Sequence, residues 1–155
     1  MRTNLFILLT IFITNLDLIS QMPSPAIIAS DATVSPGQAV DIVFSSDNDE
    51  FWNIVTFNGT ITWDPSVCSY SGLVSTQLFQ MNVTNFDTSQ ISNGILTWNW
   101  MHMITIGQSI PRGQEIFTLK FTASNTGGLS TPIDFSSTPN PVSYTHLTLP
   151  TIREV

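Results

Sequence analysis

The chain has 155 residues, only 10% of them charged, and a formal net charge of −7 at pH 7. This length allows one domain. The scarcity of Lys and Arg argues against binding to nucleic acid or to an anionic membrane surface, because both need clustered positive charge.

The first 20 residues have the features of a secretory signal peptide. Arg2 supplies a positive charge, residues 5–13 form a short apolar run, and cleavage is predicted before Gln21. Asp17 ends the apolar segment well short of the ~20 residues that span a bilayer. The sequence therefore predicts a secreted protein with no membrane span after cleavage.

The following residues alternate between short strands and turns. Residues 21–28 are predicted as a linker and the start of the first strand, which covers residues 26–29. Pro36-Gly37, Asp64-Pro65 and Asn93-Gly94 are turn signals, the last of them of hairpin type. Alternating apolar and polar residues between such signals predict strands. These strands cover residues 39–45, 53–63, 67–74, 95–103, 114–123 and 129–135, with short strands around 78–83.

The long predicted strand at residues 53–63 has one apolar and one polar face. Such a strand is typical of an antiparallel sheet that is open to water on one side. Gly59 interrupts the apolar side, which indicates a bulge or the close approach of another group. The pattern predicts an all-β sandwich, and the polar side is the first candidate for contact with a partner. This polar side consists of Thr56, Asn58, Thr60 and Thr62.

The tryptophans are a second candidate site. Trp98 and Trp100 lie on the same side of one predicted strand, and this side is better interpreted as core because Leu96 shares it. Trp52 is expected to be the most exposed, since it lies beside an acidic loop. If Trp52, Trp98 and Trp100 were exposed and coplanar, their rings could stack on sugars. The alternative function is therefore carbohydrate binding.

No cofactor or metal is expected. Asp47, Asp49 and Glu50 could offer oxygen ligands to Ca²⁺, but the spacing and glycine of an EF-hand loop are absent, which favours a solvated loop. The single Cys68 permits no internal disulfide and is interpreted as a small buried side chain.

The sequence predicts a protein that is not an enzyme. His102 is the only histidine before residue 142, and no nucleophile or phosphate-loop motif is present. Asp64 and Glu115 are the acids near strand ends that could form a glycosidase pair. Asp64 is better explained as the turn residue before Pro65.

The C-terminal residues 142–155 resemble translated sequencing-adaptor DNA. We predict that this segment is an artefact that lies outside the fold. The domain is accordingly expected to end at Pro141.

Residues 29–141 resemble a cohesin domain. The resemblance rests on four pieces in the expected order, which are residues 34–40, 57–65 ending in Trp-Asp-Pro, 93–98 and 116–121. It implies an antiparallel jelly-roll β-sandwich related to sandwich-type carbohydrate-binding modules.

The resemblance also implies a function. It indicates a non-catalytic module, secreted or on a bacterial cell surface, that binds an extracellular dockerin-like module or a polysaccharide. The setting would be polysaccharide degradation or surface attachment. The family's sandwich closes with a last strand near the first one, and we find no such strand before residue 142. The domain is therefore predicted to lack its last strand and to have an unpaired edge open to another chain.

Overall fold

Short antiparallel strands form almost all of the regular structure. The computed structural model describes residues 27–47, 51–102 and 106–147. Within these ranges two 3₁₀ helices, Val83–Asn85 and Ile91–Asn93, accompany the strands. The strands are β1 (Ile27–Ala29), β2 (Ala39–Ser46), β3 (Ile54–Thr62), β4 (Cys68–Thr76), β5 (Phe86–Asp87), β6 (Ile95–Met101), β7 (Glu115–Ala123), β8 (Asp134–Phe135) and β9 (Ser143–His146).

The strands form two antiparallel sheets. Sheet A has the order β1–β2–β7–β4, and sheet B has the order β5–β6–β3–β8. β9 pairs with β3 on the same edge as β8, further along the strand. The two sheets confirm the predicted all-β antiparallel sandwich.

Aromatic side chains from both sheets fill the core. Phe117 of β7 stacks on Phe44 of β2 at a centroid distance of 4.8 Å. It also contacts the rings of Phe57, Phe86 and Trp98, which belong to sheet B. The period-2 alternation of the strands explains this arrangement, because every second side chain points to the same face of a sheet.

Two of the predicted turns are confirmed. Gly37 has a φ of +74°, and the N–H of Gln38 donates to the carbonyl oxygen of Ser35 at 3.1 Å. The Asp64 carboxylate accepts from the hydroxyl of Ser66 at 2.6 Å and from its backbone N–H at 2.8 Å. These two bonds hold the pKa of Asp64 below its usual value, the hydroxyl contributing most.

Three local predictions are wrong. Asn93-Gly94 is not a hairpin turn, because Gly94, with a φ of +68°, ends the 3₁₀ helix Ile91–Asn93. No strand forms at residues 78–83, which run instead into the 3₁₀ helix Val83–Asn85, where the Asn82 side-chain oxygen accepts from the Thr84 N–H at 2.9 Å. The strand predicted at 129–135 is restricted to β8.

The C-terminal boundary also differs from the prediction. Residues 143–146, which were predicted to lie outside the fold, form β9, and Tyr144 pairs with Phe57 and packs on the ring of Phe51 at 5.3 Å. A boundary at Pro141 is therefore wrong for the fold. The artefactual origin of the segment stays a prediction.

The predicted unpaired edge corresponds to the outer edge of β1, the first strand. β1 pairs with β2, and no strand of the described residues lies on its other side. The predicted signal peptide, most of the linker and residues 148–155 lie outside the described residues. In the described part of the chain, no helix is long and apolar enough to cross a membrane.

Candidate functional site

The outer face of sheet B carries the predicted polar row. β3 and β6 pair in a continuous register in which Thr56 faces Met101 and Asn58 faces Asn99. Phe57 of β3 and Trp98 of β6 point into the core. The residues that alternate with them along each strand therefore point outward. Neither strand contains a charged residue. We call this surface the polar face, formed by Thr56, Asn58, Thr62, Thr97, Asn99 and Met101.

Thr60 belongs to the predicted row but is fully buried. Its hydroxyl donates to the carbonyl oxygen of Asn140 at 2.8 Å and accepts from the Asn140 N–H at 3.1 Å. Residues 136–142, which we call the covering loop, connect β8 to β9 and lie over this part of the strand. The prediction of Thr60 as a contact residue is wrong, because the loop saturates its hydroxyl and removes it from solvent.

The covering loop also restrains Asn58. Its side-chain amide donates to the carbonyl oxygen of Pro141 at 3.3 Å, and its side-chain oxygen accepts from the Ser143 hydroxyl at 3.0 Å. Thr56 and Thr62 are half-buried and not covered to the same extent as Thr60. The predicted row is thus divided into a covered centre and two accessible ends, and its role in binding stays a prediction.

Sequence reasoning missed the contribution of β6 to this face. Thr97, Asn99 and Met101 alternate with the buried Leu96, Trp98 and Trp100, which is the signal that could have placed them outward. Met101 is 59% exposed. This large and flexible apolar side chain lies at the end of the uncharged polar face and supplies that face with an adaptable apolar contact.

The tryptophan site does not form. Trp98 and Trp100 are each 1% exposed, and the Trp100 indole N–H donates to the carbonyl oxygen of Phe79 at 3.0 Å. The glycan-stacking interpretation is therefore wrong for these two residues, which belong to the core between the sheets. Trp52, at 70% exposure, is the one predicted stacking residue that reaches solvent.

The acidic loop is partly described. Asp47 is exposed and lies 3.8 Å from the guanidinium of Arg112. Asp49 and Glu50 lie outside the described residues, so the calcium interpretation stays a prediction. No group of three potential metal ligands occurs in the described part of the chain.

The structure does not bring the two candidate catalytic acids together. Asp64 lies next to β4, whose first residue Cys68 pairs with Ala123 at the end of β7. Glu115 begins β7. Ala123 and Glu115 lie eight residues apart along β7, a distance of roughly 26 Å. Asp64 and Glu115 are therefore near opposite ends of this strand, and their carboxyl groups cannot act on one glycosidic bond.

Cys68 is half-buried, and burial raises the pKa of its thiol, with a smaller contribution from the Asp64 carboxylate. Because the thiolate is the reactive form, we expect Cys68 to react with iodoacetamide more slowly at neutral pH than a cysteine in an unstructured peptide. The midpoint of the rate against pH should lie above that of the peptide. Asp64→Asn should lower this midpoint only in part, since burial is the larger cause. A midpoint at or below that of the peptide would contradict the assignment.

The two antiparallel sheets define a jelly-roll sandwich domain. The family model of the cohesin domain matches residues 25–144. The chain belongs to the cohesin domain family.

Solved structures agree with the fold. A type I cohesin–dockerin complex from Clostridium thermocellum is 18% identical, with a TM-score of 0.59, and the match covers 72% of this chain and 81% of that one. The seventh ScaB type I cohesin from Pseudobacteroides cellulosolvens is 11% identical, with a TM-score of 0.57, covering 83% of this chain and 96% of that one.

A type II cohesin from the cellulosome of Acetivibrio cellulolyticus is 15% identical, with a TM-score of 0.54 and coverage of 75% of both chains. At such identities the likeness supports the fold alone. No curated protein matches the chain.

Proposed function

We propose that this chain is a non-catalytic module that binds a dockerin-like extracellular protein through the polar face of sheet B. The observation that carries the proposal is the uncharged outer surface of β3 and β6, on which Asn99 and Met101 are exposed. Membership of the cohesin domain family supports it. Structural neighbours from Clostridium thermocellum and Acetivibrio cellulolyticus are complexes of a cohesin with a dockerin.

The chemistry of the polar face suits a protein partner. Interfaces are depleted of charge at their centre and enriched in Met. Thr97 and Asn99 offer side-chain hydrogen bonds, and Met101 offers a flexible apolar contact. The outer face of sheet A is different, because Lys120 lies 3.4 Å from Asp41 and the hydroxyls of Ser71 and Thr122 bond to each other at 2.7 Å.

The proposed setting is outside a bacterial cell, in polysaccharide degradation or surface attachment. The predicted signal peptide at residues 1–20 supports secretion. The description of one structural neighbour as a part of a cellulosome supports the link to polysaccharides. The sequence itself contains no hydrolase motif that would connect the chain to a particular substrate.

A protein partner is favoured over a polysaccharide. Sandwich-type glycan binding by stacking needs exposed aromatic rings on one surface. Trp98 and Trp100 are in the core, which leaves Trp52 without either of its predicted companions. Direct carbohydrate binding is therefore the weaker alternative, and the test below includes it.

Met101→Arg should weaken dockerin binding. We expect at least one of a panel of type I and type II dockerin modules to bind in isothermal titration calorimetry. The substitution places a long charged side chain on the uncharged face and should raise Kd at least about tenfold. Val74→Arg is the matched control, because Val74 is 46% exposed and lies on sheet A. Its Kd should stay within about twofold of the unmodified protein.

Three outcomes would contradict the proposal. The panel could fail to bind below roughly 100 μM, or Val74→Arg could weaken binding as much as Met101→Arg. The third outcome is binding to insoluble cellulose or xylan that Trp52→Ala abolishes while no dockerin binds. That result would favour the carbohydrate-binding alternative.

A further inference from the structure

The outer edge of sheet A has unused backbone groups. β1 is an edge strand, and the chain that follows it, residues 31–34, takes part in no hydrogen bond with any described residue. Asp31, Ala32 and Thr33 are exposed. An edge with free N–H and C=O groups is a template for pairing with another strand.

A cavity of about 260 Å³ opens beside this edge. Residues 32–34 and residues 126–131 contribute to its walls, together with side chains of β2 and β7. This volume is several times the ~30 Å³ that a water molecule occupies in the liquid, so it can receive a large aliphatic side chain. Its apolar lining includes Val34, Val40, Ile42, Phe121, Leu129 and Ile133.

The surroundings of the cavity are acidic. Asp31 is exposed and precedes the wall residue Ala32. The backbone N–H of Asp64 donates to the hydroxyl of Thr131, another wall residue, at 2.9 Å. The described Lys and Arg side chains are paired with other carboxylates, Lys120 with Asp41 and Arg112 with Asp47. Among the described residues, no unpaired cation is therefore left to balance the negative charge around the cavity.

These three observations point to one kind of ligand. We propose that the edge and the cavity together form a peptide-binding site, separate from the polar face of sheet B. Its ligand is an extended peptide in which aliphatic and basic residues alternate. The peptide backbone pairs with residues 31–34, one aliphatic side chain enters the cavity, and the basic side chains approach Asp31 and Asp64. Strand addition of this kind gains affinity from main-chain hydrogen bonds and specificity from side-chain pockets.

The probe is a fluorescein-labelled peptide of sequence Lys-Val-Lys-Val-Lys-Val, titrated with the purified protein in fluorescence anisotropy. Two control peptides separate the contributions, one with N-methylated valines, which cannot pair as a strand, and one with Glu in place of Lys. Each should bind at least about tenfold more weakly. Bound peptide should also slow the alkylation of Cys68, because this residue lines the cavity.

Thr33→Pro tests the edge on the protein side. Thr33 donates no backbone hydrogen bond in the described part of the chain, so the substitution removes an edge donor without breaking an internal bond. Thr88→Pro is the matched control, since Thr88 is also exposed and its N–H is likewise unbonded to described residues. Both variants should keep the thermal midpoint of the unmodified protein. Only Thr33→Pro should weaken the peptide, by about tenfold or more.

Several results would overturn this proposal. They are no saturable binding up to roughly 1 mM, equal binding of the N-methylated peptide, or unchanged binding by Thr33→Pro. If sedimentation shows a dimer that Thr33→Pro dissociates, a second copy of the chain occupies the edge, and the assignment to a foreign peptide is wrong. None of these results bears on dockerin binding, which Met101→Arg tests at the other sheet.

Discussion

Gly59→Val is expected to lower the free energy of unfolding by about 3 kcal/mol or more. A Cβ atom at Gly59 would lie 2.4 Å from Cζ2 and 2.5 Å from Cη2 of the Trp98 ring, and 3.0 Å from Cγ2 of Val142. The ring cannot move away freely, because it packs on Phe57 and Phe117 at 5.3 and 5.5 Å. Valine adds two further carbons to this contact, and close-packed cores do not accommodate added volume without strain.

Urea denaturation measures this effect, read from the midpoint at constant slope. The matched control is Gly127→Ala, whose Cβ would lie 3.6 Å from Cγ of Pro36, an ordinary contact. The control should change the free energy of unfolding by less than about 0.5 kcal/mol. An equal midpoint for Gly59→Val and the unmodified protein would show that Trp98 does not hold this position in solution.

The alternation of apolar and polar residues predicted most of the strands, and it also predicted a bulge or the close approach of another group at Gly59. Alternation places Phe57 and Ile61 on one side of β3, so a residue without a side chain at the position between them indicates that another group comes close. The structure identifies this group as the Trp98 ring, which lies opposite Gly59 in the register of β3 and β6. The local sequence pattern indicated that space is needed at Gly59. Only the pairing of β3 with β6 showed that the Trp98 ring occupies this space.

The burial of Thr60, at the centre of the predicted row, could not be predicted in this way. Thr60 follows the same polar alternation as Thr56 and Thr62, so nothing local distinguishes it. Its burial depends on Asn140, which is 80 residues further along the chain. Contacts of this range are set by how β8 and β9 pair with β3, and the prediction placed no strand after residue 135. The strand that was not predicted also explains why Thr56 and Thr62 were not distinguished from Thr60.

Short irregular segments were predicted least well. Leu78 and Met81 lie in the weakly patterned segment where short strands were predicted around residues 78–83. In the structure both are buried in a loop, where the Leu78 carbonyl oxygen accepts from the Met81 N–H at 3.0 Å. Burial of apolar side chains does not require a regular element, because a loop can present them to the core when its backbone groups find local partners.

Phe117→Ala is expected to lower the free energy of unfolding by about 4 kcal/mol. The Phe117 ring is fully buried and contacts aromatic rings of both sheets, Phe44 in sheet A and Phe57, Phe86 and Trp98 in sheet B. Its removal leaves a cavity between the sheets, and four large rings around the gap cannot collapse into it together. The cost therefore combines the lost burial of the ring with the cavity that remains.

Phe79→Ala provides the comparison, because it removes the same atoms from a residue that is 55% exposed. Phe79 contacts the ring of His102 edge-on at 5.8 Å, so we expect a loss of less than about 1 kcal/mol. Urea denaturation of both variants compares the loss of a buried aromatic ring with the loss of an exposed one. If Phe117→Ala costs no more than Phe79→Ala, the aromatic contacts between the sheets do not stabilise the sandwich. The stability would then have to come from the strand pairing within each sheet.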